Sequence, residues 1–211
     1  MPIILALLLN EARNLVFKRV SQNIYYLPHF LSWVVIAGLC YDVLNLNGIV
    51  NTVLKALGFE GVSFLMDPKW IRTVLIVTDI WKGAGYGSII YLAALTSIDP
   101  ELYDAAKIDG AGKFAQLWYI TLPGLVPVII IMLVLRLSSV LSVDFDQILM
   151  LTNAAVRNRI DVIDTYVYRQ GITGAKYDYS TAVGLFKSAV SVVFVLSTNY
   201  ILKKKRGEGL W

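Results

Sequence analysis

Leu122-Pro123-Gly124-Leu125-Val126-Pro127-Val128-Ile129-Ile130-Ile131-Met132-Leu133-Val134-Leu135-Arg136-Leu137-Ser138-Ser139-Val140-Leu141 is an apolar run with one charge, Arg136. Wound as a helix it reaches ~30 Å at ~1.5 Å per residue, the thickness of bilayer hydrocarbon. The runs 24–44 and 183–202 are of similar length and also carry few charges. A fourth, 71–95, is apolar in outline but carries Asp79, Lys82, Gly83, Gly85 and Gly87, and reads as a spanning helix whose central face is kept from lipid. Across the 211 residues, 57% are hydrophobic and 16% charged, against ~25% charged in soluble domains. That charge is too scarce to cover a water-facing surface. The expected fold is all-α: a polytopic transmembrane helical bundle forming one domain over 1–211, with about four complete spans and a partial N-terminal helix.

Several classes are excluded. Cys40 is the single cysteine, so no disulfide scaffold forms within the chain. Aromatics at 12% and long apolar runs exclude a disordered chain. The net charge of +4 does not mark a nucleic-acid binder, because the Lys and Arg flank apolar runs instead of forming a face. They orient the chain. With the Lys203-Lys204-Lys205-Arg206 tail inside, the inside segments hold nine cations (Arg13, Lys18, Arg19, Lys107, Lys113 and the tail) and the outside segments six. The segment 97–121 and the C-terminus are therefore expected in the cytoplasm. Residues 1–9 are apolar but too short to span, and no basic residue precedes them as in a signal peptide. They read as the last turns of a helix whose beginning is absent, so the chain is expected to be N-terminally shortened.

Immediately before the opening stretch, 97–121 carries most of the local information. Asp99 suits an N-cap, Pro100 the first helical position, and Glu101 the positive helix end. Ala105 and Ala106 extend that helix with almost no side chain, Gly110 and Gly112 bend it, and 113–120 resumes a helical pattern up to Leu122-Pro123. From pattern alone this is either an amphipathic connector lying on the membrane or a surface that another protein approaches closely.

The same residues resemble the cytoplasmic loop of binding-protein-dependent ABC importer permeases. That pattern is Glu-Ala-Ala, three residues, Gly, nine residues, Ile, one residue, Leu-Pro. Asp104-Ala105-Ala106, Gly110, Ile120 and Leu122-Pro123 stand at every required spacing, with Asp for Glu the one departure. Trp81-Lys82-Gly83 and 145–152 are similar to the carbohydrate-uptake branch, and 164–169 with Gly184-Leu185-Phe186 to its polysaccharide and oligosaccharide subgroup. The resemblance implies a type I ABC importer permease fold in the bacterial cytoplasmic (inner) membrane. It implies that 97–121 is a coupling loop docking in a cytoplasmic ABC ATPase subunit, with Glu101, Asp104, Ala105, Ala106, Gly110, Ile120, Leu122 and Pro123 as its site residues. It further implies a second permease subunit, an extracytoplasmic solute-binding protein and a saccharide substrate. ATP and Mg would be used by the partner. No cofactor is expected on this chain: Gly112-Lys113 lacks a P-loop setting, since Lys107 stands where the first Gly belongs and Phe114 where Ser/Thr belongs.

Ionisable groups inside a span are costly and tend to face a cavity or one another. Asp79 and Lys82, three apart, share a helical face with Tyr86, and Gly83 lets a helix or ligand approach. Two readings stand: an intrahelical ion pair against a partner helix, or a sugar-contacting face, which the resemblance favours. Arg136 either lines the cavity or pairs with an acid on another chain. The resemblance marks Asp144 as a further substrate-path candidate. Lys187 and Asp42 are expected to snorkel to the surface, and His29 to be structural. The outer connection 142–181, with short helices expected in it, either faces the binding protein or is a solvated loop. No nucleophile–base pair or metal-ligand spacing is present, so neither an enzyme nor a metal site is expected. The rival functions are an ion- or proton-coupled secondary transporter, and a permease subunit without direct substrate contacts.

Overall fold

Caps and prolines decide where the helices begin and end. The computed structural model describes residues 1–12, 14–138 and 144–206. Arg13, the last residues of the run 122–141 and the start of the connection 142–181 therefore lie outside the described residues. Among those described, every regular element is helical: α1 (Pro2–Glu11), α2 (Leu15–Tyr26), α3 (Trp33–Leu44), α4 (Ile49–Ala56), α5 (Ile71–Thr96), α6 (Pro100–Ile108), α7 (Lys113–Gln116), α8 (Leu122–Ser138), α9 (Phe145–Leu151), α10 (Arg157–Ile160), α11 (Ile163–Tyr168) and α12 (Tyr177–Arg206).

The run 24–44 is not one helix, contrary to the sequence expectation. The Asn14 side chain accepts from the Val16 and Phe17 amides at 2.9 and 3.1 Å and starts α2, which ends at Tyr26. Pro28 has no N–H and disfavours helical geometry at Leu27. The chain turns there through a 3₁₀ segment, Leu27–Phe30, until Ser32 caps α3 by accepting from the Val35 amide at 3.3 Å. By contrast α5 runs from Ile71 to Thr96, within one residue of the expected run.

The opening stretch also begins earlier than expected. Helical winding is continuous from Lys113, through α7, a π-helical segment Leu117–Thr121, and α8. Pro123 cannot donate to the carbonyl four residues back, and its ring crowds that carbonyl. The helix widens just before it, and the Leu122 amide bonds the Leu117 carbonyl five residues back. The last helix likewise starts at Tyr177, inside the expected outer connection.

Among the described residues, three stretches combine the length and low charge needed to cross a membrane: Trp33–Ala56 (which contains the turn at 45–48), Lys113–Leu137 and Tyr177–Tyr200. At 26 residues α5 has the length, ~39 Å, but carries Arg72, Asp79 and Lys82.

The chain forms two compact units, neither contiguous in sequence. The first comprises the described residues of Met1–Tyr26, Gly83–Val140 and Val190–Trp211. Its core joins Ala6, Tyr91, Leu95 and Leu125. Backbone proximity is extreme at Gly85, where a Cβ would lie 1.9 Å from the Tyr25 carbonyl oxygen. The second comprises the described residues of Leu27–Lys82 and Leu141–Ala189. Trp33, Ile36, Ile71, Val74, Ile148 and Leu151 are among its core residues. Asn51, fully buried, ties this unit together: its amide donates to the Asn45 and Val62 carbonyls, both at 2.9 Å, and its oxygen accepts from the Val62 amide at 2.7 Å.

Candidate functional site

The loop between α5 and α8, all in the first unit, has the helix, bend and helix expected from its residues. The Asp99 carboxylate accepts from the Glu101 amide at 2.9 Å, and Pro100 and Glu101 occupy the first turn of α6. The far end closes as a Schellman motif. The Ala111 amide donates to the Ala106 carbonyl at 2.8 Å, and the Gly110 amide to the Lys107 carbonyl at 3.1 Å. Gly110 sits between them at φ +80°, in the left-handed region where glycine alone escapes a Cβ penalty. This is the physical reason for a glycine four residues after Ala106.

The helix so closed presents a small, polar, exposed surface. Glu101, Asp104 and Ala105 are exposed, Ala106 is half-buried, and Asp104 pairs with Lys107 at 2.8 Å one turn on. Further along, Ile120 and Leu122 are half-buried and Pro123 is exposed. Large apolar side chains flank this surface, with Ile108 87% and Phe114 89% exposed. Lys113 pairs with Glu11 of α1.

Three residues that the sequence reading passed over hold the loop to the bundle. Tyr103 on α6 reaches Thr121 at 3.0 Å between oxygens, Thr121 donates to the Gln116 carbonyl at 3.3 Å, and Gln116 donates to the Ala111 carbonyl at 2.9 Å. Their signal in the sequence was only polarity within an apolar neighbourhood, which is too common to single them out.

The substrate-path candidates are not gathered into one unit. Asp79, Lys82 and Asp144 belong to the second unit; Gly83, Tyr86 and Arg136 belong to the first. The Lys82 ammonium donates to the His29 carbonyl at 3.0 Å and the Leu31 carbonyl at 2.6 Å, and lies 5.4 Å from the Trp33 ring centroid. Lys82 thus caps the proline-broken segment that precedes α3, instead of reaching along its own helix to Asp79. The sequence could not show this, since the break itself was not foreseen. Asp79 is half-buried, and Tyr86 and Arg136 are exposed. A Cβ on Gly83 would meet nothing within 4 Å, whereas Gly87 faces Pro2 at 3.1 Å. Asp144 is exposed at the N-cap of α9. Three residues on, Gln147 is buried and donates to the Leu75 carbonyl and the Thr78 hydroxyl, each at 2.8 Å.

Beyond α9, the second unit holds a pocket of about 500 Å³ whose lining includes Phe145, Asp164, Tyr168, Tyr177, Ser180 and Thr181. Lys187 pairs with Asp164 with its side chain 14% exposed, so it does not snorkel as expected. The short helices expected in the connection 142–181 are α9, α10 and α11, the last of them within 161–168. Arg169 holds Asp161 through two contacts, 3.0 and 2.5 Å, and lies 5.7 Å from the Tyr166 ring centroid. The Arg169 hydrogen bond holds the Asp161 carboxyl below its ordinary range, aided by a hydrogen bond from Thr165 and opposed by burial. Among the described residues, no group of three or more His, Cys, Asp or Glu is placed to hold a metal.

A family model described as binding-protein-dependent transport system inner membrane component matches residues 1–207. The protein LplB of Bacillus subtilis (strain 168) is 46% identical over 211 residues, covering 100% of this chain and 66% of its own length. The polygalacturonan/rhamnogalacturonan transport system permease protein YteP of the same organism is 43% identical over the same coverage. The chain therefore spans just under two thirds of the length of these relatives. Among solved structures, a bacterial ABC transporter involved in the import of the acidic polysaccharide alginate has a chain with a TM-score of 0.94 at 43% identity, covering 97% of this chain and 72% of that one. The bacterial alginate ABC transporter in complex with alginate pentasaccharide-bound periplasmic protein gives 0.95 at 43% identity, with coverage of 99% and 73%.

Proposed function

This chain belongs to the binding-protein-dependent transport system inner membrane component family, and from that premise we propose that it is a permease subunit of an ATP-driven saccharide importer. The observation that carries the reading is α6: a capped, exposed helix that ends on a positive-φ glycine and presents Asp104, Ala105 and Ala106. Small side chains allow close approach, and the Schellman closure fixes the helix end that a docking groove would meet. The loop docks in a cytoplasmic ABC ATPase, which holds the ATP and Mg. A second permease subunit completes the pathway, an extracytoplasmic binding protein delivers the saccharide, and the C-terminus lies in the cytoplasm.

The substrate is an acidic oligosaccharide. Support comes from the polygalacturonan/rhamnogalacturonan and alginate systems at 43% identity. Asp79, Gly83, Tyr86, Arg136 and Asp144 are its path candidates, while Lys82 contributes through the carbonyls it caps.

The test is co-purification of the chain with its ATPase and partner permease from native membranes, followed by reconstitution with the binding protein. The expected result is uptake of oligogalacturonate or alginate oligosaccharide that requires ATP and the binding protein. Uptake that follows a proton gradient without the ATPase would favour a secondary transporter. Unchanged substrate preference in Asp79→Ala, Tyr86→Ala and Asp144→Ala would favour a subunit without direct contacts.

A further inference from the structure

We infer that Tyr103, Gln116 and Thr121 are positioning residues that make the coupling loop and the start of α8 move as one body; the inference rests on the permease reading above. The four links form a closed circuit. Tyr103 reaches Thr121 (3.0 Å), Thr121 reaches the Gln116 carbonyl (3.3 Å), and the Gln116 amide reaches the Ala111 carbonyl (2.9 Å). The Ala111 amide then returns to Ala106 (2.8 Å), one turn from Tyr103 on α6. A threonine hydroxyl has one proton. Thr121 gives it to Gln116, so Tyr103 is the donor to Thr121.

The circuit spans the two places where the loop would otherwise bend. One is Gly110, at φ +80°. The other is the π-helical segment ahead of Pro123, of which Thr121 is the last residue. Thr121 is 6% exposed, so this junction is shielded from competing water. A second contact runs alongside: a Cβ on Gly124 would stand 2.8 Å from Cδ1 of Ile98, so Ile98 rests directly on the first turn of α8. Force applied at Asp104 and Ala105 therefore enters α8 through side chains as well as through the backbone. Without the circuit, the glycine and the widened turn would absorb that displacement.

The experiment uses the full assembly, with ATPase and binding protein, in liposomes. It compares ATP hydrolysed with labelled oligogalacturonate taken up. A nitroxide at Leu133→Cys, on a Cys40→Ser background, reports the response of α8 to ATP and vanadate independently of the saccharide. Tyr103→Phe and Thr121→Val are expected to co-purify with the ATPase and to hydrolyse ATP within about twofold of wild type. Uptake per ATP should fall about fivefold, the effect of one hydrogen bond, and the nitroxide response should fall with it. The double variant should be no worse than Thr121→Val alone, which already removes the Tyr103 link together with the bond to the Gln116 carbonyl. Gln116→Met, which keeps length and loses the donor, should shift both readouts the same way. Unchanged uptake per ATP and nitroxide response in the single variants would overturn the inference. So would additive losses, or a parallel loss of assembly and hydrolysis with their ratio to uptake preserved. Wild-type uptake indifferent to ATP would instead overturn the permease reading, and the nitroxide response would still report on the circuit.

Discussion

Lys82 shows how a single residue changes meaning between sequence and structure. As a charge in an apolar helix it reads as half of an ion pair or as a ligand group. In the fold its ammonium donates to the His29 and Leu31 carbonyls in the segment that follows the break at Pro28. Lys82→Met should leave both carbonyls without that donor and lower stability by about 1–3 kcal/mol, read as the unfolding transition of the detergent-solubilised protein. Asn51→Leu removes several bonds at once at a fully buried position, including the acceptor for the Val62 amide. It should cost at least as much as Lys82→Met; a smaller loss would show that water replaces those bonds. Tyr103 and Thr121 make the same point from the other side, since neither type nor spacing distinguishes them from other polar residues near a membrane surface.

At the scale of elements, α6 is the one most fully specified by local sequence. Asp99, Pro100 and Gly110 each act on backbone groups within a few residues of themselves, so their chemistry is legible without tertiary contacts. Gly110→Ala places a Cβ at φ +80° and should cost about 1–2 kcal/mol. Gly110→Pro also removes the amide that bonds Lys107. On the proposed reading, Gly110→Pro and Ala106→Arg uncouple ATP hydrolysis from uptake while the membrane assembly remains intact. Wild-type uptake by either variant would contradict a docking role for α6.

The α10–α11 region makes a different prediction. Because the folded Asp161 carboxyl is held below its ordinary value, its stabilisation is present above the unfolded value, about 3.9, and is lost as pH falls through the lower folded one. The acid-side fall in melting temperature below about pH 4 should be shallower in Asp161→Asn, while the wild type stays level from pH 5 to 7 with respect to this group.

The whole molecule divides its apolar surface unevenly. In Tyr177–Tyr200 none of the apolar window is buried within the chain, and large side chains such as Phe186, Val193 and Tyr200 stand exposed. Burial of that surface needs something beyond the described residues. On the permease reading the chain alone hydrolyses no ATP, and adding the ATPase restores hydrolysis that the loaded binding protein stimulates. Hydrolysis by the isolated chain would refute the division of labour proposed here.

Length and polarity by themselves determined the all-helical, membrane-compatible character of the chain, because a bilayer demands helices of one length whatever they pack against. Local backbone chemistry likewise determined the course of the loop from Asp99 to Lys113. Tertiary structure alone decided the rest. It divided the chain between two discontinuous units and turned Lys82 and Lys187 to partners distant in sequence. It also closed the circuit through Tyr103 and Thr121. The physical reason is range. Caps, turns and hydrophobic length act over a few residues along the chain, whereas a buried polar group is satisfied by whichever carbonyl or hydroxyl folding brings within 3 Å.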